Sequence, residues 1–290
     1  MHFEHDMIFR PPSEANSILM QVTTGCSHNK CTFCGTYKDI RFKIKSDDII
    51  EQDIEYAARH YPAKRRMFLC DGDALIIPHK RLAAILERIK LRLPRITRVG
   101  VYANAKSLKL KTIEELKALH GLGLGIVYLG IESGDNETLV SICKGATAED
   151  MVLAGLKAKA AGIKLSVMVL LGIAGRKRSL IHAAETGRVL TEINPDYVGA
   201  LTLMLIPGTP LYRQFKNGDF KLPDPKEMLK ELRNMLACTH MTGGQFYANH
   251  ASNFLPIKAR MPKDKQSSLR RIDDALSGKI TLRPEGFRGL

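Results

Sequence analysis

The sequence predicts an α/β protein built around a parallel β-sheet, and three observations lead to this fold class. Apolar runs of strand length alternate with amphipathic helical patterns from about residue 17 to residue 206. Hydrophobic residues make up 44% of the chain, which is enough for a sizeable core. Single helices separate consecutive strands, and such crossovers join parallel strands with right-handed chirality. This alternation fits either an open, doubly wound sheet or a partial barrel.

Six strands are predicted from short runs rich in Val, Ile and Leu. They cover residues 17–23, 65–70, 98–103, 126–131, 164–172 and 197–205. Five helices are predicted near residues 46–60, 79–92, 112–121, 147–161 and 178–193. Two of the helix starts are marked by capping-box spacing, Thr112 with Glu115 and Thr147 with Asp150.

The pattern changes after Pro207 and Gly208. A helix is predicted at about 225–238, then a loop with the sequence GGQFYANHASNFLP, then a last helix near 263–277. We therefore expect two domains. The first is a core over residues 1–215 with a short N-terminal lead, and the second is a mainly helical extension over residues 216–290 that covers the mouth of the core.

The chain is basic, with a formal net charge of +14. This excess of basic over acidic residues suggests an anionic partner, either nucleic acid or an anionic substrate, although the basic residues are scattered along the chain. No apolar run approaches the roughly 18 residues of a membrane span. The N-terminal MHFEHDMIFRPP lacks the basic head and apolar run of a signal peptide. We expect a cytoplasmic protein that does not enter a membrane.

Three of the six cysteines form a tight group directly after the first strand. Cys26, Cys31 and Cys34 have the spacing C-x4-C-x2-C. Three thiolates in one loop suit an iron–sulfur cluster, and they would leave one of the four irons of a cubane open. From this segment alone, a zinc site completed by His28 and a set of reduced thiols remain open as alternatives.

Further motifs accompany the cysteines along the chain. Phe33 directly precedes the third cysteine, CDGDALIIP follows the second strand and GIESGDNETL ends the fourth. The fifth and sixth strands end in LLGIAG and IPGTPL. Over residues 17–215 this set resembles the radical S-adenosylmethionine (SAM) superfamily, and within it an uncharacterised subgroup loosely similar to oxygen-independent coproporphyrinogen oxidase-like proteins. The commonest superfamily spacing has one residue fewer between the first two cysteines.

The resemblance implies a fold, two cofactors and a set of binding residues. The fold would be a partial (β/α)6 TIM-like barrel. Cys26, Cys31 and Cys34 would hold a [4Fe–4S] cluster, and SAM would bind its open iron. Asp71, Gly72 and Asp73 would contact the SAM amino group, Glu132 and Ser133 the ribose, Phe33 and the backbone of Gly172 the adenine, and Asn104 is a further candidate contact.

The implied activity is the reductive cleavage of SAM to a 5′-deoxyadenosyl radical, which abstracts hydrogen from a substrate. The substrate is expected to be an unidentified small or medium metabolite, and the electron donor reduced flavodoxin or ferredoxin. The alternatives are a radical SAM modifier of RNA or peptide, motivated by the charge, and a zinc-stabilised basic nucleic-acid-binding protein without catalysis. The reaction class, oxidoreductase or transferase, stays open.

Strand placement supports these assignments independently of the resemblance. In parallel βα folds, ligand sites lie at the carboxyl ends of the strands. Every predicted site segment follows a strand and precedes its helix: 26–34, 71–73, Asn104, 132–133, Gly172 and Pro207.

The remaining cysteines and a C-terminal segment complete the prediction. Cys70 is expected in the core, Cys143 as a partly buried helix residue or a hydrogen donor, and Cys238 as a buried thiol or a substrate contact. The segment with Asn249, His250, Ser252 and Asn253 is expected either to bind substrate or to satisfy the backbone of its own loop.

Overall fold

The computed structural model describes residues 1–5 and 8–289, and within them it contains ten strands and ten α-helices. The strands are β1 (Ile18–Gln21), β2 (Thr23–Thr24), β3 (Lys43–Ile44), β4 (Arg66–Cys70), β5 (Arg98–Ala103), β6 (Leu124–Glu132), β7 (Lys164–Leu171), β8 (Tyr197–Thr202), β9 (Gln245–Ala248) and β10 (Ile257–Arg260). The helices are α1 (Asp47–His60), α2 (His79–Arg92), α3 (Ala105–Lys109), α4 (Ile113–Gly121), α5 (Asn136–Ser141), α6 (Ala148–Ala160), α7 (Gly175–Ile193), α8 (Pro210–Asn217), α9 (Pro225–Cys238) and α10 (Lys265–Leu276).

The chain divides into two compact units, and each of them contains parallel β-strands. The first unit comprises Met1–Asn29, Thr36–Leu129 and Leu156–Leu165. The second comprises Lys30–Gly35, Gly130–Gly155 and the chain from Ser166 onward. The predicted division near residue 215 stays a prediction.

In the first unit, β1, β4, β5 and the part of β6 up to Leu129 are parallel neighbours in that order. One row across this part of the sheet pairs Met20 with Leu69, Leu69 with Val101 and Val101 with Val127. All four side chains are fully buried, so the apolar runs that predicted the strands form the core. Strands β2 and β3 pair antiparallel in a separate two-stranded sheet.

In the second unit, β7, β8 and β9 are parallel neighbours, and β10 pairs antiparallel with β9. Val167, Val198 and Phe246 form a buried row across the three parallel strands. Helices α7 and α9 pack against each other in the same unit. The prediction of an α/β protein with a parallel sheet is therefore confirmed.

Both capping boxes predicted from the sequence are present. The Glu115 N–H donates to Thr112 Oγ1 over 3.0 Å, and the Thr112 N–H donates to Glu115 Oε2 over 2.9 Å. Thr147 and Asp150 exchange the same two bonds at 3.2 Å each. These reciprocal bonds satisfy amide groups that a helix start leaves unpaired, so α4 and α6 begin where the sequence indicates.

The structure also contains elements that the sequence did not predict. The loop GGQFYANHASNFLP includes β9, and β10 follows it, so the C-terminal segment adds two strands to its helices. Helix α7 begins at Gly175 rather than at residue 178. No helix in the described part of the chain is both long and apolar enough to cross a bilayer.

Candidate functional site

The start of the cysteine loop is joined to the segment that follows β4. Strands β1 and β4 are parallel, with Gln21 opposite Cys70, so their carboxyl ends meet. The Gly25 N–H donates to Asp71 Oδ2 over 2.8 Å, and the Gly72 N–H donates to the Gly25 carbonyl over 3.0 Å. These two bonds fix the backbone that leads into Cys26.

Gly72 leaves no room for a side chain. A Cβ at this position would lie 2.8 Å from Cys26 Cβ and 3.1 Å from Tyr37 Cε2. The first contact is shorter than real Cβ atoms tolerate, and Cys26 Cβ sits on the backbone and cannot move away. Glycine therefore permits the close approach of the DGD segment to the first cysteine.

The carboxylate of Asp71 holds the start of the cysteine loop through its hydrogen bond with Gly25. Its carboxylate is buried, and Oδ2 accepts from His5 Nε2 at 2.9 Å and Gln21 Nε2 at 3.2 Å as well as from the Gly25 N–H. Asp71 itself has a positive φ of 71°, a conformation that non-glycine residues seldom adopt. Burial, together with the nearby Asp71 charge, raises the pKa of Tyr37.

Asp73 is buried at the same end of β4, beside Ser27 and Asn104. Its Oδ2 accepts from Ser27 Oγ at 2.5 Å and from Asn104 Nδ2 at 2.8 Å. Burial raises the pKa of Asp73 to about 6, although its hydrogen bonds oppose this shift. Asn104 also caps α3, because its Oδ1 accepts from the Ser107 N–H at 2.8 Å.

Asp71 and Asp73 each keep one buried carboxylate oxygen, Oδ1, without a hydrogen-bond partner among residues 1–5 and 8–289. A buried acceptor without a donor costs about 1–3 kcal/mol. An ammonium group carries three donors and a positive charge, so the chemistry of these oxygens fits the amino group of SAM.

In the second unit, Glu132 ends β6 with a positive φ of 60°. Its Oε1 lies 3.0 Å from Lys144 Nζ. The adjacent Ser133 is fully buried, and its Oγ contacts His182 Nδ1 at 2.8 Å and accepts from the Asp135 N–H at 3.0 Å. The Ser133 side chain is thus engaged with protein groups.

Gly172 follows β7 with a φ of +82°, which favours glycine. Its N–H donates to Glu231 Oε1 on α9 over 2.6 Å. A Cβ at Gly172 would lie 3.0 Å from Met228 Cε, also on α9. Helix α9 therefore packs closely against this turn.

All six cysteines lie in the described part of the chain, and no disulfide bond joins any two of them there. Cys26, Cys31 and Cys34 are half-buried, as is Phe33. Within residues 1–5 and 8–289, no three His, Cys, Asp or Glu side chains are already gathered closely enough to hold a metal ion. The assignment of the three cysteines as cluster ligands therefore stays a prediction from their spacing.

The other cysteines have distinct environments. Cys70 is fully buried, which confirms its predicted core position. Cys143 is exposed and follows α5 with a φ of +54°, so the prediction of a partly buried helix residue was wrong. The cause is that α5 is only six residues long and ends before it. Cys238 is half-buried at the end of α9, with Sγ 3.8 Å from Asn234 Oδ1.

Two of the polar residues predicted near the substrate support β8 instead. Ser252 Oγ accepts from the Thr202 N–H at 3.1 Å, and Asn253 Oδ1 accepts from Thr202 Oγ1 at 2.7 Å. These bonds satisfy the end of β8 and not the backbone of the loop itself, so the two roles that the sequence left open stay predictions. His250 is half-buried, and burial with the nearby Arg283 charge lowers its pKa.

Several side chains at these sites were not predicted. His5 and Gln21 bind Asp71, Lys144 pairs with Glu132, and His182 and Glu231 engage Ser133 and Gly172. Except for Lys144, all lie far along the chain from their partners, and no local pattern marks such pairs.

The chain is similar to two characterised proteins over part of its length. It is 25% identical over 168 residues to 4′-phospho-dehydrooxetanocin synthase of Priestia megaterium, covering 52% of this chain and 23% of that protein. It is 30% identical over 110 residues to tRNA uridine(34) acetyltransferase of Methanocaldococcus infernus, covering 37% of this chain and 20% of that protein. The chain thus spans less than a quarter of either relative.

The structure is similar to that of coproporphyrinogen III oxidase of Escherichia coli, described as a radical SAM enzyme. The TM-score is 0.59 at 17% identity, over 76% of this chain and 51% of that one. At this identity the likeness shows the fold, and it confirms the predicted partial barrel.

The model of the radical SAM superfamily matches residues 20–183, which is more than half of the chain. This range contains the cysteine group and the segments after β4, β6 and β7. It confirms the family that the motifs predicted, and with it the two cofactors, a [4Fe–4S] cluster and SAM. The chain belongs to the radical SAM superfamily.

Proposed function

We propose that this protein is an enzyme in which Cys26, Cys31 and Cys34 hold the cluster and the segment after β4 binds the SAM amino group. The substrate is proposed to be a small or medium metabolite. The main support for the proposal is the close contact at Gly72. It holds the loop of Cys26 against the segment of Asp71 and Asp73, and the buried carboxylates of these two residues each keep one oxygen without a hydrogen-bond partner in the described part of the chain.

The chain's own residues would perform binding and orientation. Asp73 Oδ1, and Asp71 Oδ1 beside it in sequence, would accept hydrogen bonds from the SAM ammonium group. Asn104 and Ser27 hold the Asp73 carboxylate in place. When bound, the cluster supplies the electron for reductive cleavage of SAM, and reduced flavodoxin or ferredoxin is the proposed donor.

Anaerobic purification followed by metal analysis and incubation with SAM and dithionite tests this proposal. We expect a brown protein that contains iron and releases 5′-deoxyadenosine. A colourless protein with one zinc and no iron would contradict it and support the zinc-stabilised alternative.

SAM affinity is expected to decrease as the pH falls below 6. Burial raises the pKa of Asp73 to about 6, so the carboxylate is ionised at pH 7 and protonated at pH 5. A protonated carboxyl loses the charge that attracts the ammonium, so affinity should fall about tenfold per pH unit below 6. Calorimetric titrations of the anaerobic protein between pH 5 and 8 measure this. Equal affinities at pH 5 and pH 7 would argue against Asp73 as the acceptor.

Replacing Glu132 by Gln is expected to lower SAM affinity about tenfold. The ribose hydroxyls would lose a charged acceptor, and hydrogen bonds to charged groups contribute about 1.5–3 kcal/mol. Iron content should stay normal because Glu132 is not a proposed ligand.

Lys144→Met is the matched control, because Lys144 pairs with Glu132 at 3.0 Å. If Glu132 serves only this ion pair, both variants should lose thermal stability equally and keep wild-type SAM affinity. That result would remove Glu132, and with it Ser133, from the proposed ribose site.

RNA modification is a second candidate, favoured by the net charge of +14 and by the 30% identity over 110 residues to a tRNA-modifying enzyme. Titration of tRNA binding against salt tests it, because neutralising phosphates makes affinity fall steeply with ionic strength. No binding at low salt would remove this candidate.

A further inference from the structure

A buried chain of side chains in the second unit links the end of β6 to the end of β7. We call it the relay, and it consists of Ser133, His182, Glu231 and Gly172. Ser133 Oγ contacts His182 Nδ1 at 2.8 Å, His182 Nε2 lies 3.4 Å from Glu231 Oε1, and the same oxygen accepts from the Gly172 N–H at 2.6 Å. The Ser133, His182 and Glu231 side chains are fully buried, so solvent cannot replace these contacts.

The His182 ring is held on one side by two hydroxyl groups. Ser133 Oγ accepts from the Asp135 N–H at 3.0 Å, and Thr186 Oγ1 accepts from the Gly134 N–H at 2.9 Å. Both hydroxyls also contact His182 Nδ1, at 2.8 Å and 3.3 Å. The other ring nitrogen, Nε2, lies 3.4 Å from Glu231 Oε1 and makes no hydrogen bond within residues 1–5 and 8–289, so the ring and the carboxylate are held together by close packing in a buried site.

Burying the carboxylate of Glu231 at its position has a desolvation cost. It lies on the face of α9 that packs against α7, where an apolar side chain would fill the space without a desolvation cost. Its carboxylate instead accepts from the Gly172 N–H and from Ser179 Oγ and faces His182. The carboxylate thus connects α9 to the turn after β7 and, through His182, to the turn after β6.

We infer that His182 and Glu231 are positioning residues that set the Ser133 turn relative to the Gly172 turn and so couple α9 to SAM binding. The inference rests on the proposed function, which assigns ribose contacts to the first turn and adenine contacts to the second. Neither residue touches SAM; both act through the backbone that they hold.

Glu231→Gln tests the coupling, and Glu14→Gln is the matched control. Glu14 is also fully buried, and it accepts from Tyr128 and Arg98 in the first unit. Arg98 is the first residue of β5, so Glu14 lies towards the amino ends of the strands, away from the proposed site. Both substitutions neutralise one buried carboxylate, and Glu14→Gln in addition breaks the ion pair with Arg98, so a general loss of stability would appear in the control as well.

The first measurement is amide hydrogen exchange on the protein without SAM. Glu231→Gln is expected to raise the exchange rate about tenfold both at Gly172 and at Asp135, whose N–H donates to Ser133 Oγ. Glu14→Gln should leave both segments unchanged. An increase confined to Gly172 would overturn the inference.

The second measurement is SAM affinity by calorimetry on the anaerobically purified protein. Glu231→Gln should weaken SAM binding about tenfold with normal iron content, while Glu14→Gln binds as wild type. If wild type binds SAM and the two variants bind it equally well, the inference is wrong while the proposed function stands. If wild type does not bind SAM, the proposed function fails, and the exchange data alone then decide whether Glu231 couples the two turns.

If the Glu231→Gln variant does not fold, the His182→Gln variant tests the inference. The glutamine amide keeps a polar group near the Nε2 position but removes the ring nitrogen that contacts Ser133 Oγ. Exchange should therefore rise at Asp135 and stay protected at Gly172. Loss of protection at both turns, or at neither, would contradict the relay.

Discussion

Replacing any one of Cys26, Cys31 and Cys34 by alanine is expected to abolish the iron–sulfur cluster and all cleavage of SAM. The three thiolates are the only protein ligands proposed for the cluster. One of the four irons already lacks a protein ligand, so the loss of one thiolate leaves a second iron without a terminal ligand. Iron and sulfide analysis, the visible absorption of the anaerobic protein and 5′-deoxyadenosine formation measure the effect.

Alanine variants of the other three cysteines are the controls. Cys143 is exposed and Cys238 half-buried, so both variants should keep wild-type iron content and stability. Cys70→Ala should keep its iron but lose stability, because Cys70 is fully buried in the core. An iron deficit in any control together with normal iron in Cys31→Ala would reverse the ligand assignment.

Asp73→Asn is expected to weaken SAM binding at pH 7 about thirtyfold or more while leaving iron content normal. The amide oxygen can still accept from Ser27 and Asn104, but an NH2 group then occupies the position of the unpaired Oδ1. An NH2 group repels an ammonium, and removal of a charged acceptor costs about 2–3 kcal/mol. Calorimetric titration with SAM measures this loss.

The same variant should be more stable than wild type at pH 7 when SAM is absent. Burial raises the pKa of Asp73 from 3.8 to about 6, so the folded protein holds this proton more tightly than the unfolded chain does. The contribution of Asp73 to stability therefore falls as the pH rises from 3.8 to about 6 and stays low above it. Denaturant titrations at pH 5 and pH 7 should show this fall in wild type and its absence in Asp73→Asn. Equal stability of the two proteins at pH 7 would contradict a buried charge at this position.

The central part of the fold could be predicted because strand and helix periods are local signals. Helix α2 and strand β5 begin and end where the sequence places them. The missed elements are short: α3 has five residues and β9 four, too few for a period to appear. Strand β9 forms by pairing with the edge of β8. This pairing is apparent only in the folded sheet.

The sequence marks candidate positions for the site but not the contacts that their side chains make. The spacing of the cysteines and the strand-end motifs mark Cys26, Asp73 and Glu132. The same motifs do not reveal that the Ser133 hydroxyl faces His182, a residue 49 positions away. Nor do they reveal that Asn104 both caps α3 and holds Asp73. Contacts between distant segments depend on packing, which a single sequence does not display.

Strand β10 has a consequence for handling the protein at high concentration. It is the last strand of the main sheet, and Lys258 and Arg260 on it are exposed. An unpaired strand edge can recruit a strand from another molecule, whereas long charged side chains on a four-residue edge make that addition costly. This edge therefore resists strand-by-strand aggregation during the concentrated incubations that cluster reconstitution requires.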